Sequence, residues 1–206
     1  MRMLVIETAT AACSVALLDG DDLIAENHAI VGRGHAEQLL PMIAALPGGG
    51  RAQHILVDCG PGSFTGIRVG LAAARALAFG WGATLSGYSS LPLIAAAAFA
   101  DEPGLPMLAV VIEGGHGEVF MQSFTAPLAE HAPQQSLLPH AALAAIGSLP
   151  AIGSGRRFLA PLTAALAGHD RLPRAADARL LPAAYRTLAP SPIYGRAPDA
   201  KPMAAA

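Results

Sequence analysis

The chain has 206 residues, a formal net charge of −2, and 13 Lys plus Arg spread along its length. That is enough chain to bury a real core as one large domain or two small ones, and two compact halves are expected. The scattered charge excludes a sequence-independent grip on a polyanion, so any nucleic-acid role must be shared with a partner.

Cys13 and Cys59 sit far apart in apolar runs without C-x-x-C spacing, which predicts buried reduced thiols in a reducing compartment. The N-terminus reaches Glu7 before the apolar region of a signal peptide would be complete. Leu91 to Ala100 is about half as long as the roughly 20 residues of a membrane span. A soluble cytoplasmic protein with no membrane contact is expected.

Residues 3–7, 13–19 and 23–28 are short β-prone runs separated by turn residues, and they predict an antiparallel opening sheet. A helix follows at 35–46, with Leu39, Leu40, Ile43 and Leu46 at helical spacing; Pro41 should kink or loosen it, and Pro47 to Gly50 stops it. His54 to Cys59 is a buried-type strand, and a helix capped by Ser63 runs to about Phe79. After a helix at 91–100, the stretch DEPGLP marks the expected boundary between lobes at 1–103 and 104–206. The second half starts over with a hairpin of 107–112 and 118–124. It continues with a weaker helix, a strand near Ala151 and alanine-rich helices at about 155–168 and 177–189.

The stretch GPGSFTGIRVGLAAAR, Gly60 to Arg75, resembles a phosphate loop running into a helix. A Walker loop needs four residues between its glycines and then Gly-Lys-Ser/Thr. Here five residues separate Gly60 from Gly66, and Ile67 follows. A dinucleotide fingerprint needs a further acid about 20 positions on, and 79–90 contains none. A tight strand-to-helix turn remains. Gly66, Gly70, Ala74 and Ala78 then recur every four residues, a small-residue stripe that predicts close packing against another helix. Each internal glycine costs roughly 0.8 to 1 kcal/mol relative to alanine, so two of them imply a packing role.

The sequence resembles the TsaB (YeaZ) family, the dimerisation subunit of the bacterial machinery that makes threonylcarbamoyladenosine beside the anticodon of tRNAs. The residues that carry the resemblance are VIETATAACSVALLD at 5–19, HAEQLLPMI at 35–43 and GPGSFTGIRVGLAAARALA at 60–78. GEVFMQSF at 117–124 and PIYGRAPDAKP at 192–202 fit it more loosely. The resemblance implies an α/β actin-like ATPase (ASKHA, ribonuclease H-like) fold of two lobes, the second reduced, and a non-catalytic role. It further implies a TsaD-type catalytic homologue as heterodimer partner, with a TsaE-type ATPase in the same machinery. Substrate tRNA would be met through the complex, and a homodimer could form in isolation. Partner docking would use the helices at 35–46 and 63–79, with His35, Leu39, Ile43, Leu46, Gly66, Ile67, Gly70, Leu71 and Ala74 at the interface. Glu37, Arg68 and Arg75 are candidates for its polar contacts.

The spacing of the histidines agrees: no His-x-x-x-His pair exists to put two imidazoles on one helical face. No metal and no cofactor are expected. HExxH and GxSxG are also absent, which weakens a glycoprotease-like reading. ASKHA phosphotransferases place an acid and a Gly/Thr turn near the first hairpin. Here ETAT occupies that place without glycine, which hinders close backbone approach. Glu7, Thr8, Thr10 and Asp58 therefore read as a vestigial nucleotide site, or as strand-end side chains capping turns. The alternative function is an ATP-binding ASKHA phosphotransferase acting on a small molecule through those four residues.

Overall fold

The computed structural model describes residues 1–195, so the stretch at 192–202 lies outside the described residues from position 196 onward. Apolar runs broken by Gly and Asp turns form three antiparallel strands, β1 (Arg2–Glu7), β2 (Ala12–Asp19) and β3 (Asp22–Ile30). The chain then crosses through helix α1 (His35–Ala44) and a 3-10 turn (Pro47–Gly50) to β4 (His54–Asp58), which lies parallel to β1. Helix α2 (Phe64–Trp81) returns it to β5 (Thr84–Tyr88), parallel to β4. The sheet order is β3-β2-β1-β4-β5. β1, β2 and β4 are covered on both faces, which is why they are almost continuously apolar rather than alternating.

Helices α1 and α2 cover one face of this sheet. Leu39, Ile43 and Leu46 from the α1 region and Ile67, Leu71 and Ala74 from α2 meet Leu4, Ile6, Val15, Ile55 and Val57. Pro41 does not end α1: the helix runs through it to Ala44, and Ala45 N still donates to the Pro41 carbonyl at 3.1 Å. The proline is exposed, so its ring and missing donor lie on the solvent side. Ser63 caps α2 by accepting from Gly66 N at 3.2 Å, and Gly82 closes it in the left-handed conformation with φ 65°.

Helix α3 (Ser90–Asp101) packs on the opposite face and is apolar nearly all round, because a second sheet covers its other side. That sheet has the order β10-β6-β7-β8, from β6 (Met107–Gly115), β7 (Glu118–Thr125), β8 (Ala129–Glu130) and β10 (Ala151–Ile152). A further strand, β9 (Gln135–Leu137), also pairs with β7. Helices α4 (Pro139–Ile146) and α5 (Arg156–Leu159) close its outer face around Ala109, Val111 and Met121. Layers therefore follow in the order α1/α2, first sheet, α3, second sheet, α4/α5.

The helices predicted at 155–168 and 177–189 do not form. Only the single turn α5 and 3-10 turns at Ala160–Leu162, Ala175–Leu180 and Ala183–Arg186 are present. Pro161, Gly168 and Pro182 interrupt those stretches, and alanine propensity alone does not outweigh them. Tertiary ties hold the segment instead. Ala175 N donates to Ser14 Oγ at 3.0 Å, Leu188 bridges Gly87, and Ile193 N donates to the Cys59 carbonyl at 2.7 Å. Residues 174–194 thus run back along the first sheet, with Tyr185 Oη also donating to the Leu128 carbonyl at 3.0 Å.

Candidate functional site

Two features meet where the lobes face each other: a pair of acids at the strand ends, and an open cleft above them. Glu7 closes β1 and Asp58 closes β4, one position beyond the paired residues Ile6 and Val57. Both side chains are fully buried. Glu7 Oε1 accepts from Ala9 N at 2.8 Å, and Asp58 Oδ1 accepts from Gly60 N, so each carboxyl group caps the turn that follows its own strand. Ser90 Oγ donates to Asp58 Oδ2 at 2.7 Å, and Tyr88 Oη donates to Glu7 Oε2 at 3.1 Å. Burial, then the neighbouring Asp58, holds Glu7 far above the usual carboxylate range. Burial raises Asp58 as well, but the hydrogen bonds from Glu7, Ser90 and Gly60 pull it back. Both carboxyl groups are therefore held above their ordinary range.

The two threonines are equally committed. Thr8 Oγ1 donates to the Gly66 carbonyl at 2.8 Å, and Thr10 Oγ1 accepts from Ala12 N at 3.2 Å. Of the four residues, only Thr10 lines the cleft. In the structure Glu7, Thr10 and Asp58 brace the turns after β1 and β4, and Thr8 ties the first of them to α2. Sequence reasoning missed Tyr88 and Ser90, which complete the network, because the strand leading to them, TLSGY, carries a weak β signal.

The assigned interface residues need correction. His35, Leu39, Ile43, Leu46, Gly66, Ile67, Gly70, Leu71 and Ala74 are all buried inside this chain. His35 Nε2 sits 3.0 Å from the Ala12 carbonyl, tying the start of α1 to β2. The small-residue stripe faces the chain's own first strand rather than a partner helix: a side chain at Gly66 would strike the Thr8 carbonyl, and one at Gly70 the Thr8 hydroxyl. The glycines let α2 lie directly over the end of β1. Arg68 and Arg75 reach back to the C-terminal segment, donating to Tyr194 Oη at 3.0 Å and the Pro190 carbonyl at 2.7 Å. Glu37 is exposed on α1.

The cleft between the lobes encloses about 1340 Å³ and is lined by Arg33, Arg68, Arg157, Arg171 and Arg174 against only Glu113 and Asp170. Arg157 pairs with Glu113, Arg171 with Asp101 and Asp177, and Arg174 with Glu26. His28, on the cleft wall, is held below the ordinary imidazole value by burial and then by Arg174. Among the described residues, no group of three or more His, Cys, Asp or Glu could hold a metal ion, and no helix is long and apolar enough to cross a membrane.

Comparison with known proteins accords with this architecture. A family model described as TsaD, tRNA N6-adenosine threonylcarbamoyltransferase, matches residues 27–128. The tRNA threonylcarbamoyladenosine biosynthesis protein TsaB of Escherichia coli is 35% identical over 60% of this chain and 55% of its own length. An uncharacterized protein of Mycobacterium tuberculosis is 30% identical over 98% of this chain and 95% of its own. YeaZ from Pseudomonas aeruginosa superposes with a TM-score of 0.71 at 26% identity, covering 87% of this chain and 89% of that one. The chain belongs to the TsaB (YeaZ) family. The alignment with Escherichia coli TsaB spans about half of that relative, whereas the structural match to YeaZ runs through both lobes. In this TsaB-family chain the carboxyl groups of Glu7 and Asp58 turn inward and do not line the cleft.

Proposed function

We propose that the chain is the non-catalytic scaffold subunit of the complex that adds a threonylcarbamoyl group to N6 of the adenosine beside the anticodon in tRNAs. It acts by docking a TsaD-type homologue on the outer face of α1 and α2. The observation that carries this reading is the division of labour between the two faces of those helices. Their inner faces are spent on the chain's own core, while their outer faces present apolar residues to water. Ala36, Leu40 and Ala44 follow one another at four-residue spacing on the exposed side of α1, and Ala72, Ala76 and Phe79 lie at spacings of four and three on the exposed side of α2. Phe79 is 93% exposed and Leu40 53%. An apolar surface of this kind marks an interaction site. Association costs an estimated 4 to 15 kcal/mol, so both helices must contribute. In isolation the same face can pair with a second copy of the chain.

The phosphotransferase reading has less support. A phosphoryl-transfer site needs a carboxylate that faces the bound phosphate and its metal ion. Glu7 is buried with its oxygens taken up by Ala9 N and Tyr88 Oη, and Asp58 is enclosed by Gly60 and Ser90.

The test is reconstitution. The purified chain is combined with the TsaD homologue, a TsaE-type ATPase, tRNA and threonylcarbamoyl-adenylate, and modified adenosine is measured with and without it. Modification that depends on the chain, together with a heterodimer of the expected size, is the predicted result. Undiminished modification without the chain, or ATP hydrolysis by the chain alone, would overturn the proposal.

A further inference from the structure

One surface at the cleft mouth is used by neither the acid pair nor the docking face. Phe64, the first residue of α2, packs against Tyr194 with ring centroids 5.8 Å apart and planes tilted by 30°. The Arg68 guanidinium lies 3.6 Å from the Phe64 ring centre and donates to Tyr194 Oη. Both rings line the cleft, yet Phe64 stays 56% and Tyr194 51% exposed. Two aromatic rings with a planar cation against them, open to water, have the chemistry of a stacking surface for an unpaired base.

The surroundings match the rest of a nucleic-acid strand. Arg33 lines the same cleft and makes no ion pair among the described residues, and Arg68 makes none there either. The Nδ1 of His28 is buried without a hydrogen-bond partner on the cleft wall. Of the five arginines on the cleft, Arg157, Arg171 and Arg174 are paired with acids, which leaves Arg33 and Arg68 as the cations without an ion pair among the described residues. Its volume of about 1340 Å³ exceeds the roughly 300 to 1,000 Å³ of small-molecule pockets.

We propose that the cleft mouth receives an unpaired base of an RNA strand, stacked on the Phe64, Arg68 and Tyr194 surface with neighbouring phosphates at Arg33. The choice of RNA rests on the proposed role in tRNA modification; the stacking surface stands on its own geometry.

The probe is a fluorescein-labelled RNA hairpin with the sequence of an anticodon stem and loop, titrated with the full chain at low salt and followed by anisotropy. Saturable binding is expected, and Phe64→Leu, which keeps apolar bulk but removes the π face, weakens it about fivefold or more. Arg68→Lys, which keeps the charge but not the plane, weakens it in the same direction. Both variants should retain the parent melting temperature; if Phe64→Leu does not fold, Arg68→Lys decides. No binding by the folded chain, equal binding of both variants, equal affinity for a fully paired duplex, or displacement by excess ATP would each overturn the inference, the last by identifying a small-nucleotide site. The reconstitution assay separates this from the functional reading. Chain-dependent modification without stacking-dependent RNA binding sinks only the present inference. RNA binding that is lost in Phe64→Leu, with no effect of the chain on modification, sinks only the scaffold.

Discussion

Glu7 and Asp58, at the ends of neighbouring parallel strands, are both closed to solvent, and each caps the turn after its own strand. The arrangement has a pH signature. Glu7 is raised well above its ordinary value of 4.5, so between that value and its folded pKa the native state holds a proton that the unfolded chain has released. Stability falls over that window as pH rises, by about 1.4 kcal/mol per pH unit for one proton. Glu7→Gln keeps an acceptor for Ala9 N and removes the titrating group. The variant is expected to fold and to lose this decline, so that it melts higher than the parent at alkaline pH and shows a flatter profile. Thermal melts from pH 5 to pH 9 check this; parallel profiles for the two proteins would show that burial does not raise Glu7.

The glycines of α2 give a second expectation, opposite to the one their spacing alone suggests. A stripe at 66, 70, 74 and 78 predicts a contact between helices of two proteins, but its glycines lie on the Thr8 backbone and hydroxyl. Gly70→Leu should therefore destabilise the monomer itself. Forcing bulk into a packed core costs about 1 to 3 kcal/mol or more. Chemical denaturation should show a lower midpoint, and Gly66→Ala, aimed at the Thr8 carbonyl, should lower it too. An unchanged midpoint in both variants would return the stripe to a partner-facing role.

The contrast shows where the sequence was legible. The opening hairpins, β4, Ser63 as a cap and the extent of α2 follow from apolar runs and turn residues close together in the chain. Which side of α1 and α2 turns inward does not follow. Leu39 and Leu40 are adjacent and equally apolar, yet only Leu39 is buried. Strand β5 was missed because Ser86 and Gly87 dilute its pattern; its place is set by pairing with β4, a nonlocal contact. The turn-capping role of Glu7 and Asp58 was visible as one of two alternatives. The enclosure of the pair was not, since it depends on Tyr88 and Ser90 reaching Glu7 and Asp58 from 81 and 32 residues away.

The two thiols offer a simple check on the core. Burial pushes Cys13 up to about 11 and Cys59 up to about 12, with the nearby Asp58 adding to the second. Thiolate is the reactive form, so at neutral pH neither residue should react with an aromatic disulfide reagent in the native protein, and both should react in denaturant. Rapid labelling of either thiol without denaturant would contradict the packing of β2 or of the turn after β4.

The last expectation concerns the outer helix face. Phe79 and Leu40 are exposed, so their replacement by serine should shift stability by no more than about 0.5 kcal/mol. If this face docks the TsaD-type homologue, a large apolar side chain in the middle of the contact is worth about 2 kcal/mol or more, roughly a thirtyfold change in Kd. Phe79→Ser and Leu40→Ser should therefore leave the melting temperature unchanged, weaken the heterodimer in calorimetric titration and reduce modification at limiting concentration. Raising the concentration of the variant should restore modification, because the defect is in assembly rather than in chemistry. Wild-type affinity in both folded variants would move the docking surface elsewhere on the molecule.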